Sequence, residues 1–204
     1  MTTPRILGIT LARGGSKSIP LKNLAILSGK PLLSYTFSAA LNCSEISRYI
    51  VSTDSLEIQS YCINNNVDCP FIRPDRLSSD TSTSVEALQH AVTFCEQQDS
   101  VKYDYVVELM ATNPFKTSTD ISACIHKLIK TGADSVIGVS QLYDHHPARI
   151  KKIIDDTIVD FCVPELSSRR QELSPHAFIR NGSIYALNRD KLMHHNHRFG
   201  GSNS

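Results

Sequence analysis

Short apolar runs alternate along this chain with segments whose apolar residues have helical spacing. Short runs rich in Ile, Val and Thr are typical of buried strands, and four of them stand out: RILGITL, YIVST, YDYVVELM and DSVIGVS. In TSVEALQHAVTFCEQQ and STDISACIHKLIK the apolar residues recur every three or four positions, which indicates amphipathic helices. This alternation predicts a mostly parallel sheet with helices on both faces, a three-layer α/β/α fold.

Two local patterns predict where these helices begin and end. Thr83 and Glu86 have the spacing of a capping box at the start of the first helix. Gly132 follows the second helical segment and is a typical C-terminal stop. In sheets of this kind, ligands bind at the carboxyl ends of the strands, so we expect a site in the loops that leave those ends.

Composition restricts the class of protein. The chain has 204 residues, 41% hydrophobic and 20% charged, the balance of a globular protein with a sizeable core. A net charge of +1 gives no overall attraction to nucleic acid. No stretch approaches the roughly 20 apolar residues of a membrane span, and the opening residues MTTPRI lack an apolar signal segment. We therefore expect a cytoplasmic protein with no membrane and no nucleic-acid partner.

Six cysteines are scattered through apolar segments without a C-x-x-C pair: Cys43, Cys62, Cys69, Cys95, Cys124 and Cys162. This arrangement is typical of reduced, buried thiols. It does not indicate a disulfide framework or a zinc site.

The pattern changes after about residue 141, where short β-prone pieces, paired charges and prolines replace clean helical spacing. We interpret residues 141–180 as an extension, within one domain of residues 1–204, that packs against a second subunit in a homodimer. A long irregular surface excursion is the alternative.

The loop ARGGSKSIPLKN follows the first predicted strand. Gly14 and Gly15 allow backbone angles that let consecutive N–H groups turn inward around an anion. Arg13, Lys17 and Lys22 add full charges, so the loop resembles a phosphate cradle. It matches neither G-x-x-x-x-G-K-[ST] nor G-x-G-x-x-G, and a merely solvated basic turn remains the alternative.

Several segments together resemble the N-acylneuraminate cytidylyltransferases, which make CMP-activated sialic acids and related nine-carbon sugars. The matching segments span nearly the whole chain: ARGGSKSIPLKN with LSGKPLLSYTFSAAL, IVSTDSLEI, IRPDRLSSDTSTSVEAL, MATNPFKTSTDI, GADSVIGVSQLYDHHP, RRQEL and RNGSIYAL. The resemblance implies a Rossmann-like nucleotidyltransferase fold with a dimerisation extension.

The implied reaction is a displacement at phosphorus. The anomeric hydroxyl of a nonulosonic acid attacks the α-phosphate of CTP and pyrophosphate leaves, and catalysis comes from positioning and electrostatic stabilisation. Arg13 and Lys22 match the loop positions that would stabilise the developing charge, and Lys17 and the Ser16 amide would hold the phosphates.

Cytidine recognition maps to further family positions. Arg73 and the backbone of Leu11 and Ala12 are suited to the acceptor-rich edge of cytosine, and the other matching residues are Asn23, Ser82 and Ser84. Thr83 and Ser84 also fit simple N-capping. Asp54 either contacts the ligand or caps the helix that follows it.

The resemblance also assigns the sugar side. Arg169, with Arg170 and Gln171, matches an RRQ run whose guanidinium fork can pair with the sugar carboxylate, and Arg169 is a further catalytic candidate. Asn181 and Tyr185 match a strand that floors the sugar pocket, where Gly182 allows close approach. Arg149 matches a basic position that reaches across the dimer.

Two departures from the family pattern stand out. The family has Gln-Pro-Thr-Ser-Pro or Gln-Ala-Thr-Ser-Pro where this chain reads MATNP, so Met110 and Asn113 replace a glutamine and a serine. A thioether cannot donate the hydrogen bond of an amide. We therefore expect the accepted sugar, or its N-acyl group, to differ from that of N-acetylneuraminate.

The second departure concerns Mg²⁺. The family binds this cofactor through an Asp-x-Asp segment that is followed by a closing helix. The present sequence ends at HRFGGSNS and has no carboxylate pair in that context. We therefore expect a shortened form of the enzyme or a fragment. Asp155 and Asp156 fit a hairpin turn better, and His194, His195 and His197 fit a polar tail better than a metal site. A nucleotide-binding or dimer-forming remnant with little turnover is the runner-up function, and an enzyme for the eight-carbon sugar Kdo is a third.

Overall fold

The computed structural model describes residues 3–16, 18–79, 81–164, 169, 172–196 and 198–199. The chain divides into two compact units. The first unit comprises Met1–Ile137 and Gly182–Ser204, and the second comprises Gly138–Asn181. Each unit is described by itself below.

A five-stranded sheet forms the centre of the fold, in the order β4-β1-β5-β9-β6. Its strands are β1 (Ile6–Leu11), β4 (Arg48–Ser52), β5 (Tyr105–Leu109), β6 (Ser135–Leu142) and β9 (Ala177–Asn188). Strand β1 pairs in parallel with both β4 and β5, whereas β5 and β9 are antiparallel. The four strands predicted from apolar runs are confirmed, and β9 makes the sheet a mixed one.

Five α-helices accompany the strands within the described residues: α1 (Leu32–Leu41), α2 (Leu56–Asn64), α3 (Ser84–Asp99), α4 (Ser118–Thr131) and α5 (Arg189–His195). The predicted capping box of Thr83 and Glu86 is present at the start of α3. Gly132 ends α4 with a φ of 62°, as its position indicated. Two short strands, β2 (Ile26–Leu27) and β3 (Lys30–Pro31), precede α1.

The buried side chains form a cluster on each face of the sheet. One cluster packs α1 and α4 against the sheet through residues such as Phe37, Ile121 and Ile125. The other packs α3 and α5 through residues such as Leu88 and Leu192. Helices therefore cover both faces, which confirms the predicted three-layer α/β/α fold.

The strand register brings three carboxyl ends to one edge of the sheet. Leu11 at the end of β1 lies opposite Ser52 at the end of β4, and Ile9 lies opposite Glu108 near the end of β5. Because all three strands run in the same direction, the loops that follow them leave the sheet side by side. The basic loop after β1 is one of these.

The second unit contains a β-hairpin of β7 (Lys151–Ile154) and β8 (Thr157–Asp160). Asp155 and Asp156 form its turn with φ angles of 47° and 60°. Positive φ at both central residues is the geometry of a tight two-residue hairpin turn. The interpretation of this aspartate pair as a turn is confirmed.

All six cysteines are free thiols, and four of them are buried. Cys124 is half-buried and Cys162 is exposed in the second unit, so the expectation of buried thiols is wrong for Cys162. Among the described residues no helix combines the length and the apolar character needed to cross a membrane.

Candidate functional site

A cavity of about 260 Å³ opens at the carboxyl edge of the parallel strands. Eight of the residues predicted for catalysis or nucleotide binding line it: Leu11, Arg13, Ser16, Lys22, Asn23, Arg73, Ser82 and Ser84. Met110, Ala111 and Thr112 from the loop after β5 line it as well. The structure thus brings together residues that lie far apart in the sequence, while Lys17 lies outside the described residues.

The backbone of the basic loop is anchored to the end of β4. The Ala12 N–H donates to the Ser52 carbonyl at 2.9 Å, and the Gly14 N–H donates to Asp54 Oδ1 at 2.8 Å. The buried Asn23 closes the loop by donating from Nδ2 to the Arg13 carbonyl at 3.0 Å. Because the Ala12 N–H is already used, only its carbonyl remains for a ligand.

The residue that caps α2 is not the aspartate that the sequence suggested. Ser55, rather than Asp54, caps α2, because its hydroxyl accepts a hydrogen bond from the Ile58 N–H. The interpretation of Asp54 as a helix cap is therefore wrong. Its carboxylate holds the loop through Gly14 and lies 3.9 Å from Arg73 Nη2.

The glycine pair acts differently from the sequence-based expectation. Neither Gly14 nor Gly15 has a φ in the left-handed region, and among the described residues of this loop it is Leu21 that does, with a φ of 44°. Gly14 is needed for space, since a Cβ there would lie 2.8 Å from the Cβ of Ser55. At Gly15 a Cβ would meet nothing within 4 Å.

Arg73 forms a fixed cationic wall of the cavity. Its side chain is only 3% exposed, and it donates from Nε to Ser78 Oγ at 3.0 Å and from Nη1 to the Ser52 carbonyl at 3.3 Å. Burial lowers the pKa of its guanidinium, while Asp54 acts in the opposite direction and Arg13 adds to the lowering. The exposed Arg13 and half-buried Lys22 place two further cations at the same cavity, which favours an anionic ligand.

Sequence reasoning missed a buried ion pair beside this cavity. Glu108 lines the cavity with 1% exposure, and Arg198 donates to both of its carboxylate oxygens, from Nε at 2.5 Å and from Nη2 at 2.9 Å. Burial raises the pKa of Glu108, and the charge of Arg198 partly opposes that rise. The only signal in the sequence is a lone charged residue inside the apolar run YVVEL.

A buried lysine that was also missed supports the loop after β5. Lys116 Nζ donates to Thr36 Oγ1 at 3.0 Å, to the Met110 carbonyl at 2.8 Å and to the Asn113 carbonyl. Burial lowers the pKa of this ammonium group to about 8. In sequence, Lys116 follows the exposed Phe115 and looks like an ordinary surface cation.

Comparison with known proteins identifies the family. The model of the family described as Cytidylyltransferase matches residues 7–180. The chain belongs to the cytidylyltransferase family. Its resemblance to the N-acylneuraminate branch is confirmed by relatives that carry that name.

Two curated relatives illustrate the match. The N-acylneuraminate cytidylyltransferase of Escherichia coli O18:K1:H7 is 31% identical over 198 residues, covering 96% of this chain and 45% of the relative. The CMP-N,N'-diacetyllegionaminic acid synthase of Legionella pneumophila is 36% identical over 138 residues, covering 68% of this chain and 59% of the relative. The chain therefore spans about half the length of the curated relatives it matches.

Two solved structures support the fold. CMP:2-keto-3-deoxy-manno-octonic acid synthetase complexed with CTP superposes with a TM-score of 0.70 at 16% identity, covering 97% of this chain and 80% of that one. The 4-diphosphocytidyl-2C-methyl-D-erythritol synthase from Anaerococcus prevotii gives a TM-score of 0.61 at 16% identity, with 98% and 79% covered. At this identity the likeness shows the α/β nucleotidyltransferase fold alone.

The residues expected on the sugar side fall in different parts of the chain. Tyr185 is a buried residue of β9 in the first unit, opposite Glu108, and its ring lies 4.2 Å from the Arg198 guanidinium. Arg149, Arg169 and Asn181 belong to the second unit, where Arg169 pairs with Glu172 at 3.1 Å. Gly182 has a φ of 63°. Arg170 and Gln171 lie outside the described residues, so the sugar-side assignments stay predictions.

The described residues that line the cavity offer no free carboxylate to a magnesium ion. Glu108 is the carboxylate among them, and both of its oxygens accept hydrogen bonds from Arg198. No group of three or more His, Cys, Asp or Glu side chains in the described part of the chain could hold a metal ion, and His197 of the histidine-rich segment lies outside it. Mg²⁺ prefers carboxylate and water oxygens that are free to coordinate it.

Replacing Gly14 with alanine should disturb the basic loop, because the new Cβ would overlap Ser55. We expect Gly14→Ala to weaken CTP binding about ten-fold or more, since a displaced loop no longer holds the charges of Arg13 and Lys22 at the cavity. Gly15→Ala is the matched control and should bind like the wild type, because its Cβ has open space. Isothermal calorimetry with CTP measures both, and equal affinities for the two variants would contradict this account of Gly14.

The lowered pKa of Lys116 predicts a pH-dependent stability. Above about pH 8 the folded chain releases this proton, whereas the unfolded chain keeps it up to the ordinary value of 10.5. The unfolded state then binds more protons, so the free energy of unfolding should rise from about pH 7 to about pH 9.5, by about 2 kcal/mol from this group.

Urea denaturation of the wild type and of Lys116→Met across that pH range measures the difference. The variant loses stability at every pH, because three oxygen acceptors lose their donor. The informative quantity is the slope against pH, which should be smaller for the variant. Parallel curves would show that Lys116 does not titrate in this range.

Proposed function

We propose that this chain transfers CMP from CTP to the anomeric hydroxyl of a nonulosonic acid and releases pyrophosphate. The observation that supports this most is the cavity at the carboxyl edge of the strands, where Arg13, Lys22 and Arg73 converge. Membership of the cytidylyltransferase family supplies the reaction class. Relatives named for N-acylneuraminate, legionaminic acid and pseudaminic acid suggest the class of sugar.

The proposed mechanism relies on positioned positive charge. As the sugar hydroxyl attacks the α-phosphorus, negative charge grows on the phosphoryl oxygens and on the departing pyrophosphate. Arg13 and Lys22 stabilise that charge, and Lys17 is proposed to hold the phosphates. The Ser16 N–H donates to the Gly14 carbonyl at 3.0 Å, so the expectation that this amide holds the phosphates is not kept. Arg13 and Lys22 are attached to a loop that is tied to β4, so little reorganisation is needed at the moment of reaction.

The nucleoside half of CTP is proposed to lie against the end of β1 and the start of α3. Arg73, which is buried and held by hydrogen bonds, donates to the acceptor-rich edge of cytosine, with help from the backbone of Leu11 and the Ala12 carbonyl. Asn23, Ser82 and Ser84 border the same cavity and are assigned to the ribose. A rigid guanidinium suits this role, because recognition costs little further ordering of the side chain.

The sugar acid is proposed to be held by the residues that match the sugar side of the family. Arg169 contributes to catalysis, and Arg149, Arg170, Gln171, Asn181 and Tyr185 bind the sugar. Met110 lines the cavity where the family has a glutamine, so an acceptor that needs an amide partner is disfavoured. We infer a nonulosonic acid whose substituents differ from those of N-acetylneuraminate.

Magnesium dependence is part of this proposal by family resemblance alone. The described cavity residues offer no free carboxylate for the ion. This favours one second candidate, a nucleotide-binding form of the chain with little turnover. The two candidates differ in product formation and agree on CTP binding.

We propose a homodimer that forms through residues 141–180. Large apolar side chains of the second unit are unusually exposed, including Ile153 at 73% and Ile158 at 70% on the hairpin. Further exposed apolar residues of this unit are Val139, Tyr143, Ile150, Ile154, Phe161, Val163, Phe178 and Ile179. Apolar surface of this extent is typical of a protein–protein interface.

An assay with labelled CTP, with and without Mg²⁺, tests the proposed function. The acceptors are N-acetylneuraminate, legionaminic acid, pseudaminic acid and Kdo. We expect a CMP-sugar from at least one nonulosonic acid, with Kdo inactive. Binding of CTP without any product would favour the nucleotide-binding form, and calorimetry that detects no CTP binding would overturn both.

Removing either loop cation should abolish transfer without unfolding the chain. We expect Arg13→Ala and Lys22→Ala to lower kcat by on the order of a hundred-fold to a thousand-fold, because each removes charge stabilisation of the transition state. Lys127→Ala, on the exposed face of α4, is the matched control. Thermal unfolding should be alike in all three variants, and full turnover in either loop variant would refute its assigned role.

A charge on the hairpin should disrupt the dimer. We expect Ile153→Asp with Ile158→Asp to shift the chain from dimer to monomer in size-exclusion chromatography with light scattering, since a buried interface does not tolerate an unpaired carboxylate. Ile63→Asp, at a 59% exposed site of α2, is the control and should leave the dimer intact. A wild-type chain that runs as a monomer at micromolar concentration would contradict the proposed assembly.

A further inference from the structure

Glu108 is an unusual neighbour for a triphosphate. It lies on β5, opposite Ile9 of β1 and Tyr185 of β9, and it borders the cavity that also holds the three cations. Both neighbouring strands fix its backbone, and its side chain is almost completely buried. A carboxylate in this place cannot swing into solvent when an anion enters, and like charges repel strongly where water is excluded.

Arg198, from a distant part of the sequence, pairs with this carboxylate and neutralises its charge. Its guanidinium donates hydrogen bonds to both carboxylate oxygens of Glu108, at 2.5 Å and 2.9 Å, although the two residues are 90 positions apart in the sequence. The same guanidinium lies over the ring of Tyr185, and its Nη2 also contacts Met110 Sδ at 3.2 Å. Three partners therefore fix the position of this charge.

The segment that carries Arg198 is tied to the cavity wall. Gln89 of α3 donates from Nε2 to the Leu192 carbonyl at 2.8 Å and to Asn196 Oδ1 at 2.7 Å. Arg198 and Asn196 line a second opening together with Ser84, and Ser84 also lines the cavity at the carboxyl edge of the strands. The arginine thus reaches Glu108 from a segment that is held at the start of the cavity-forming helix.

We propose that Arg198 is a positioning residue for the nucleotide. Its two hydrogen bonds to the Glu108 carboxylate neutralise a negative charge that would otherwise repel the triphosphate of CTP from this cavity. This inference rests on the proposed function, since it assumes that CTP is the ligand. The role is electrostatic and acts through Glu108. It concerns the affinity for the phosphates and leaves recognition of the nucleoside unchanged.

Four variants and two ligands test the proposal. The variants are Arg198→Met, Glu108→Gln, the double variant of both, and Arg189→Met. The last is a matched control, because Arg189 makes a similar fork on Glu96, from Nε at 3.0 Å and from Nη2 at 2.6 Å, with neither residue lining the cavity. The ligands are CTP, measured by calorimetry, and uncharged cytidine, measured by ligand-observed NMR.

The expected pattern separates charge from packing. Arg198→Met should raise the Kd for CTP about ten-fold or more and change the Kd for cytidine by less than about two-fold, because only CTP carries phosphate charge. Glu108→Gln should bind CTP as tightly as the wild type or more tightly, and the double variant should return close to wild-type affinity. Arg189→Met should leave both affinities unchanged.

Two outcomes would overturn the inference. If Arg198→Met weakens CTP and cytidine equally, the pair only supports the shape of the cavity. If Glu108→Gln weakens CTP binding, the carboxylate is not a repulsive group. Wild-type protein that binds no CTP would instead refute the proposed function, so the two failures are distinguishable. The double variant keeps the test valid if Arg198→Met folds poorly.

Discussion

Parallel pairing of β1 with both β4 and β5 is the constraint on which the site depends. It places Leu11 opposite Ser52 and Ile9 opposite Glu108, so three strand ends and their loops share one edge. The basic loop then needs only short hydrogen bonds to reach its neighbour, from Ala12 to Ser52 and from Gly14 to Asp54. Without that register, the cations of the loop and the guanidinium of Arg73 would have no common cavity.

The cavity combines charges that differ in exposure. Arg73 is buried and held by hydrogen bonds, whereas Arg13 is exposed on the loop and Lys22 is half-buried. A buried, ordered guanidinium needs little further ordering when a ligand binds. Lys116 and Arg198 lie behind this surface, where each holds part of the loop after β5 through Met110.

The sequence pattern predicted those features whose physical causes lie within a few neighbouring residues. The strands at YIVST and YDYVVELM, the capping box at Thr83 and the stop at Gly132 all follow from short-range chemistry, and all are present. The place of β9 between β5 and β6 could not be read in this way, because strand order depends on pairing between distant segments. The pair of Glu108 with Arg198 was missed for the same reason. Lys116 was missed because no sequence feature beside the exposed Phe115 indicates that the lysine is buried.

The close approach of Gly14 to Ser55 has a consequence for protein engineering. Ser55 supplies the cap of α2, so the residue that limits the width of the basic loop also sets where a helix starts. A library that varies Gly14 and keeps Ser55 would sample mostly side chains that this serine excludes. The basic loop and the start of α2 should therefore be varied together when new specificity for phosphate-bearing ligands is sought.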